Sequence, residues 1–204
     1  MRKVLLLLVL LVIAFVVWKF FINKNDENET PRQKAFAVSK HSKEFNESVR
    51  AALRSYYDLT DAFVNWDSLK VNNQATDLNQ KLAAINLGDL KKDSTAILAT
   101  ATSFIDNAKV NTQDIIAVRT LEEKRRGLQN LTDNIYNLLR TVKYDETKLY
   151  LQECPMAFND NEPGQWLSRT EEIRNPYLGL HHPRYGKSMI SCGETKDTVN
   201  FSGK

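Results

Sequence analysis

Cys154 and Met156 stand two residues apart, and Met189 and Cys192 three apart, inside one proline- and glycine-punctuated stretch from Tyr150 to Gly193. The stretch holds both cysteines of the chain, two of its three methionines and, as His181 and His182, two of its three histidines. Thiolate and thioether sulfurs are soft ligands, and softness selects monovalent copper or silver over hard cations. In an extended segment Cys154 and Met156 project to the same side. The spacing of Met189 and Cys192 suits one helical turn or a tight loop. A fold that joined the two pairs would turn four sulfurs toward one point. His181 and His182 could add an imidazole, which suits divalent copper or zinc.

A plainer chemistry competes with this one. Cysteine and methionine are common core fillers, and Tyr150, Trp166 and Tyr177 could pack around them with no ligand. His182 precedes Pro183 in what reads as a surface loop. Two thiols outside the cytoplasm also tend to oxidise, so a Cys154–Cys192 disulfide is expected there. Catalysis finds less support. Cys154 could act as a nucleophile with His181 or His182 as base, but Pro155 and Met156 after it fit no protease pattern. Gly-x-Ser-x-Gly, Cys-x-x-Cys and the phosphate-cradling glycine motifs are all absent from the sequence. The formal charge of +3 comes from dispersed, nearly balanced acids and bases, with no basic stripe among aromatics, so nucleic acid is not an expected partner.

Placement of these residues begins at the N-terminus. Met1, Arg2 and Lys3 precede an apolar run from Val4 to Ile22 that is interrupted by Lys19. As a helix it would span roughly 28 Å, close to the hydrocarbon thickness of a bilayer. Its end carries no Ala-x-Ala, so residues 1–22 read as an uncleaved signal anchor rather than a removed signal peptide. The positive-inside rule puts everything after it outside the cytoplasm. The membrane is thus an expected partner, and the expected location is the inner membrane with the domain in the periplasm. Residues 23–40 are polar and aperiodic and read as a tether.

Residues 41–145 show apolar stripes at three- and four-residue steps. The first helix is expected from Ser42 to about Phe63, the second from about Asp67 to Leu87 with Gly88 as its stop. The third is expected from Asp89 or Asp93 past Ala108. The fourth and longest should start at Asn111 or Thr112, with Thr112 as N-cap, and run to about Lys143. Its Thr120 to Arg126 run reads as a solvated face. The fold class expected is mainly α, an antiparallel up-and-down four-helix bundle. Residues 146–204 change character: Lys148–Gln152, Gln165–Ser168 and Thr195–Phe201 read as short strands, with Asn159 to Gly164 as turn chemistry between the first two. They form a small, irregular, partly β cap on the bundle.

Four ordered motifs in the cap carry a resemblance: Cys154-Pro-Met-Ala157, Trp166-Leu-Ser168, Ile173-Arg-Asn-Pro-Tyr-x-Gly179 and Met189-x-x-Cys-Gly193. In that order they resemble domain-of-unknown-function family 3347 of the bacterial envelope; the helical region before them resembles it in character only. Family members occur alone behind an export segment or fused to adaptor subunits of copper and silver efflux pumps. The resemblance implies a soft-metal context, with copper or silver ion as the expected cofactor and an envelope efflux or metal-handling protein as the expected partner. The intervening Leu180-His-His-Pro-Arg-Tyr185 departs from the family pattern, so no histidine role is implied by it. The chain also lacks length for the hairpin and barrel domains of an adaptor. The function expected is a membrane-anchored Cu(I)/Ag(I) binding or handover protein without catalysis, with Cys154, Met156, Met189, Cys192, His181 and His182 as ligands. The alternative is a disulfide-stapled interaction module that binds another envelope protein.

Overall fold

The structure is a computed structural model, and it describes residues 41–92 and 94–201. The expected anchor over residues 1–22 and tether over residues 23–40 lie outside the described residues. Among the described residues no helix is long and apolar enough to cross a membrane.

Four helices and three strands make up the domain: α1 Lys43–Val64, α2 Ser68–Ala83, α3 Thr95–Ala117, α4 Leu121–Val142, β1 Leu149–Phe158, β2 Glu162–Ser168 and β3 Glu194–Val199. Each helix packs on its neighbour in sequence, and the sheet packs on α4 and α1. Helix starts follow side-chain capping: Ser42, Asp67, Ser94 and Thr120 each accept a hydrogen bond from a backbone N–H of the first turn. The stripe read on α1, Phe45, Val49, Leu53, Tyr56, Leu59 and Phe63, is buried throughout.

The helix boundaries depart from expectation at two places. The second helix ends at Ala83, and Gly88 lies inside a 3-10 turn, Leu87–Lys92, rather than stopping α2. The third helix continues to Ala117, through the expected start of the fourth. Thr112 is therefore no N-cap. It is fully buried within α3, where its hydroxyl donates to the Lys109 carbonyl at 2.7 Å and accepts from Asn79 at 2.6 Å. The chain breaks at Val118 to Thr120 instead. Thr120 and Glu123 form a capping box, each side chain meeting the other's backbone N–H at 3.2 Å.

Just after this break the expected solvated face holds at Glu122, Glu123 and Arg126, which are exposed, but fails at two residues. Lys124 and Arg125 are 1 % and 5 % exposed. The Lys124 ammonium donates to the Ile115 and Val118 carbonyls, both at 2.6 Å, and to Asn72 at 2.8 Å. It thereby satisfies carbonyls that the end of α3 leaves without a helical partner. Burial pushes its pKa down.

The sheet has the order β2-β1-β3, with both pairings antiparallel. Asn159 and Asp160 both have φ near +60°, and the Asn161 N–H donates to the Phe158 carbonyl, so a tight turn of the primed type joins β1 to β2. β1 is longer than expected and runs through Cys154, Pro155 and Met156. Its register with β2 shifts between Cys154 and Phe158. Pro155, which has no N–H for a ladder, falls in that irregular part. Tyr56 of α1 ties sheet and helices together: its hydroxyl shares a hydrogen bond with Thr132 of α4 at 2.7 Å and accepts from the Leu167 N–H of β2 at 3.1 Å. On the other side of the sheet's central strand, Asp197 of β3 accepts from Tyr136 and Arg140 of α4.

Candidate functional site: the stapled cap and its cleft

β1 places Cys154 fully buried in the core, and the turn before β3 places Cys192 half-buried beside it. The two are joined as a disulfide with their Cα atoms 5.6 Å apart. Neither sulfur is thus a thiol, and the four-sulfur cluster expected from the spacing is replaced by one bond and two thioethers. Met156 and Met189 are half-buried and pack against the hydrophobic core. The Cys192 N–H donates to the Met189 carbonyl at 3.0 Å, so those two residues do share a single turn. Among the described residues no group of three or more histidine, cysteine or acidic side chains is arranged to hold a metal ion.

The histidines go elsewhere. His181 is exposed. His182 stacks on Tyr185 and meets the Trp66 ring edge-on, with ring centroids 4.9 and 5.3 Å away. Its Nδ1 accepts from the backbone N–H groups of Arg184 and Tyr185 at 3.2 and 3.3 Å. Burial and the neighbouring Arg125 guanidinium push its pKa down, which favours the neutral ring. The third histidine, His41, bonds the Val142 carbonyl at the far end of α4.

The asparagine-proline-tyrosine motif is the framework around the disulfide. Asn175 is fully buried, and its amide Nδ2 donates to the Cys192 carbonyl at 2.9 Å. Its Oδ1 accepts from the Tyr177 and Leu178 N–H groups at 2.7 and 3.0 Å. Its own N–H donates to the Ile190 carbonyl, and its carbonyl accepts from Gly179. Both glycines that close the motifs are fixed by close approach. Gly179, at φ +56°, would push a Cβ to 2.6 Å from the Val64 carbonyl and the Trp66 ring nitrogen. Gly193, at φ +141°, would bring one to 2.8 Å from the Glu153 carbonyl. The motif docks the cap on the end of α1: the Leu180 N–H donates to the Val64 carbonyl at 2.8 Å, and Trp66 Nε1 donates to the Leu178 carbonyl at 3.1 Å. Tyr177 reaches inward to the Gln165 carbonyl and Gln129.

Beside this junction lies a cleft of about 400 Å³ that the sequence reading did not anticipate. Trp66, Phe158 and Tyr177 line it with aromatic surface; Arg125, Glu122 and Arg184 line it with charge. The Arg125 guanidinium lies 3.9 Å from the centre of the Trp66 ring. Its Nε reaches the Pro176 carbonyl only at 3.4 Å, and its buried Nη2 has no hydrogen-bond partner. Burial lowers its pKa to about 10, which leaves it charged at neutral pH. The one available sequence signal was that Arg125 sits at a stripe position of α4, three residues before Leu128, but a run of charges hid it.

These observations define a helical domain with a disulfide-stapled, three-stranded cap. A family model described as a protein of unknown function, DUF3347, matches residues 52–147, so the helical part of the chain is similar to the family that the cap motifs resemble. The match covers the helices from within α1 to the approach to β1. The cap motifs that carry the resemblance in the sequence, Tyr150 to Gly193, lie beyond it. No curated protein and no solved structure matches the chain.

Proposed function

We propose that this chain is a non-catalytic, disulfide-stapled interaction module of the cell envelope, which presents its C-terminal cap to another protein. One observation carries the reading: Cys154 and Cys192 are joined, and the motif residues around them hold the cap in place through Asn175, Gly179 and Gly193. A disulfide of this kind persists in an oxidising compartment, which agrees with the anchor and orientation expected from residues 1–22. The test is site-specific photo-crosslinking in cells from the exposed position 184 of the cap. A discrete adduct that is lost in the Cys154→Ser, Cys192→Ser double variant supports the reading. An adduct that survives intact, or none from several cap positions, contradicts it.

The soft-metal reading becomes a property of the reduced protein. It is favoured by the shared turn of Met189 and Cys192, which puts a thioether and a released thiolate in neighbouring positions. Under that reading the reduced chain takes up silver, the oxidised chain does not, and Met156→Leu and Met189→Leu each weaken uptake with unchanged melting. No silver uptake after full reduction would dismiss it.

A further inference from the structure

We propose that the cleft between the start of α4 and the β1–β2 turn binds a single carboxylate attached to an apolar body, with Arg125 as its anchor. The proposal goes beyond the reading above, which concerns what the staple holds in place. Arg125 is 5 % exposed, lines the cleft, and has one buried terminal nitrogen with no partner. A buried donor without a partner is costly, and guanidinium geometry matches a carboxylate with two parallel hydrogen bonds. No carboxylate of the chain forms an ion pair with Arg125 among the described residues. The guanidinium lies over the Trp66 ring, so little side-chain freedom is lost when a ligand binds.

The remaining walls set the class of ligand. Trp66, Phe158 and Tyr177 supply aromatic surface for an apolar body. Across the cleft Asp160 accepts from Arg184 and, at 2.7 Å, from the Tyr185 hydroxyl, so this carboxylate is already paired. Glu122 is a second acidic group in the lining. Glu122 and Asp160 offset the charges of Arg125 and Arg184 in the lining, so the cleft suits a monoanion better than a phosphate dianion. Because Arg125 Nη2 is covered, a carboxylate reaches it only when a lining side chain swings aside. The same chemistry is offered by a free aromatic acid and by the C-terminal carboxylate of a polypeptide.

The test is a titration of the oxidised full chain with fluorobenzoate followed by fluorine NMR, with fluorobenzamide as the neutral control. Fluorobenzoate should bind with a Kd of about 1 mM or tighter, as expected for a ligand of this size, and the amide about tenfold more weakly. Inorganic phosphate should not compete. Arg125→Lys, which keeps the charge and loses the fork, should weaken binding by about tenfold. Glu122→Gln, on an exposed position, should tighten it by about threefold, an effect that a purely structural role for Arg125 does not produce. It also keeps the test decisive if the arginine variant fails to fold. A peptide ending in phenylalanine that outcompetes fluorobenzoate, while its C-terminal amide does not, makes the source a polypeptide end; competition by neither makes it a free acid. Equal binding of benzoate and benzamide, effective competition by phosphate, or no binding at about 10 mM overturns the proposal.

Discussion

The side-chain amide of Asn175 donates to the carbonyl of Cys192 at 2.9 Å, so the asparagine of one motif holds the backbone of the cysteine in another. The same side chain accepts from the N–H groups of Tyr177 and Leu178, and the disulfide joins Cys192 to Cys154 on β1. Three separate motifs therefore converge on one buried polar node. Their residue types are explained by holding a loop-rich cap in one conformation, since a segment with little regular structure depends on side chains to satisfy its backbone.

Asn175→Ala should be among the most disruptive single changes in the cap. It leaves two buried N–H groups and one carbonyl without partners. At roughly 1 kcal/mol or more for each, the expected loss is about 3 kcal/mol in denaturant unfolding. A loss under about 1 kcal/mol would mean that water replaces the side chain and the node is not structural.

Lys124→Met should destabilise the domain even though it replaces a charge with an apolar side chain of similar length. The ammonium satisfies two carbonyls at the end of α3 and Asn72 on α2, and methionine offers no donor. The expected cost is about 2 kcal/mol, read as a lower denaturation midpoint with unchanged slope. An unchanged or raised midpoint would show that the carbonyls find other donors.

Acid should destabilise the domain through two carboxylates that tie it together. Glu146 is held below the ordinary glutamate value chiefly by its hydrogen bond from Arg50, with Tyr144 adding to it. Asp197 is held below the ordinary aspartate value chiefly by Tyr136. Each folded pKa lies below its unfolded value, so the stabilisation is complete above the ordinary carboxylate range and is lost as pH falls through the folded values. Asp133 acts in the opposite sense, because burial raises its pKa. Asp197→Asn should therefore flatten the acid limb of a plot of melting temperature against pH. A limb of unchanged slope would remove Asp197 from the account.

Much of this architecture is legible in the sequence where one period dominates. The α1 stripe from Phe45 to Phe63 has a clear helical repeat, and the structure begins and ends that helix within a residue of the reading. The α3–α4 break was missed because Ile115, Val118 and Leu121 continue an apolar stripe straight across it. The capping pair Thr120 and Glu123 was the local sign of a helix start, and Thr112 offered a competing one. Lys124 and Arg125 could not be read as buried, since a charge run is ordinarily solvated and their acceptors come from distant carbonyls at Ile115 and Pro176. The Cys154–Cys192 disulfide was legible, because two thiols outside the cytoplasm are expected to oxidise. The cleft was not, because its walls join residues near positions 66, 125, 158 and 184 that no local pattern connects.

The most direct test of the stapled-module account is the thiol state of the protein in its own cells. Cells are quenched in acid, free thiols are alkylated before any reduction, and the intact mass of the full chain is measured. The account predicts no alkyl groups added, and two added only when a strong reductant precedes alkylation, because both cysteines are joined to each other. Two alkyl groups without reductant, on protein that melts as the purified oxidised form does, would contradict it.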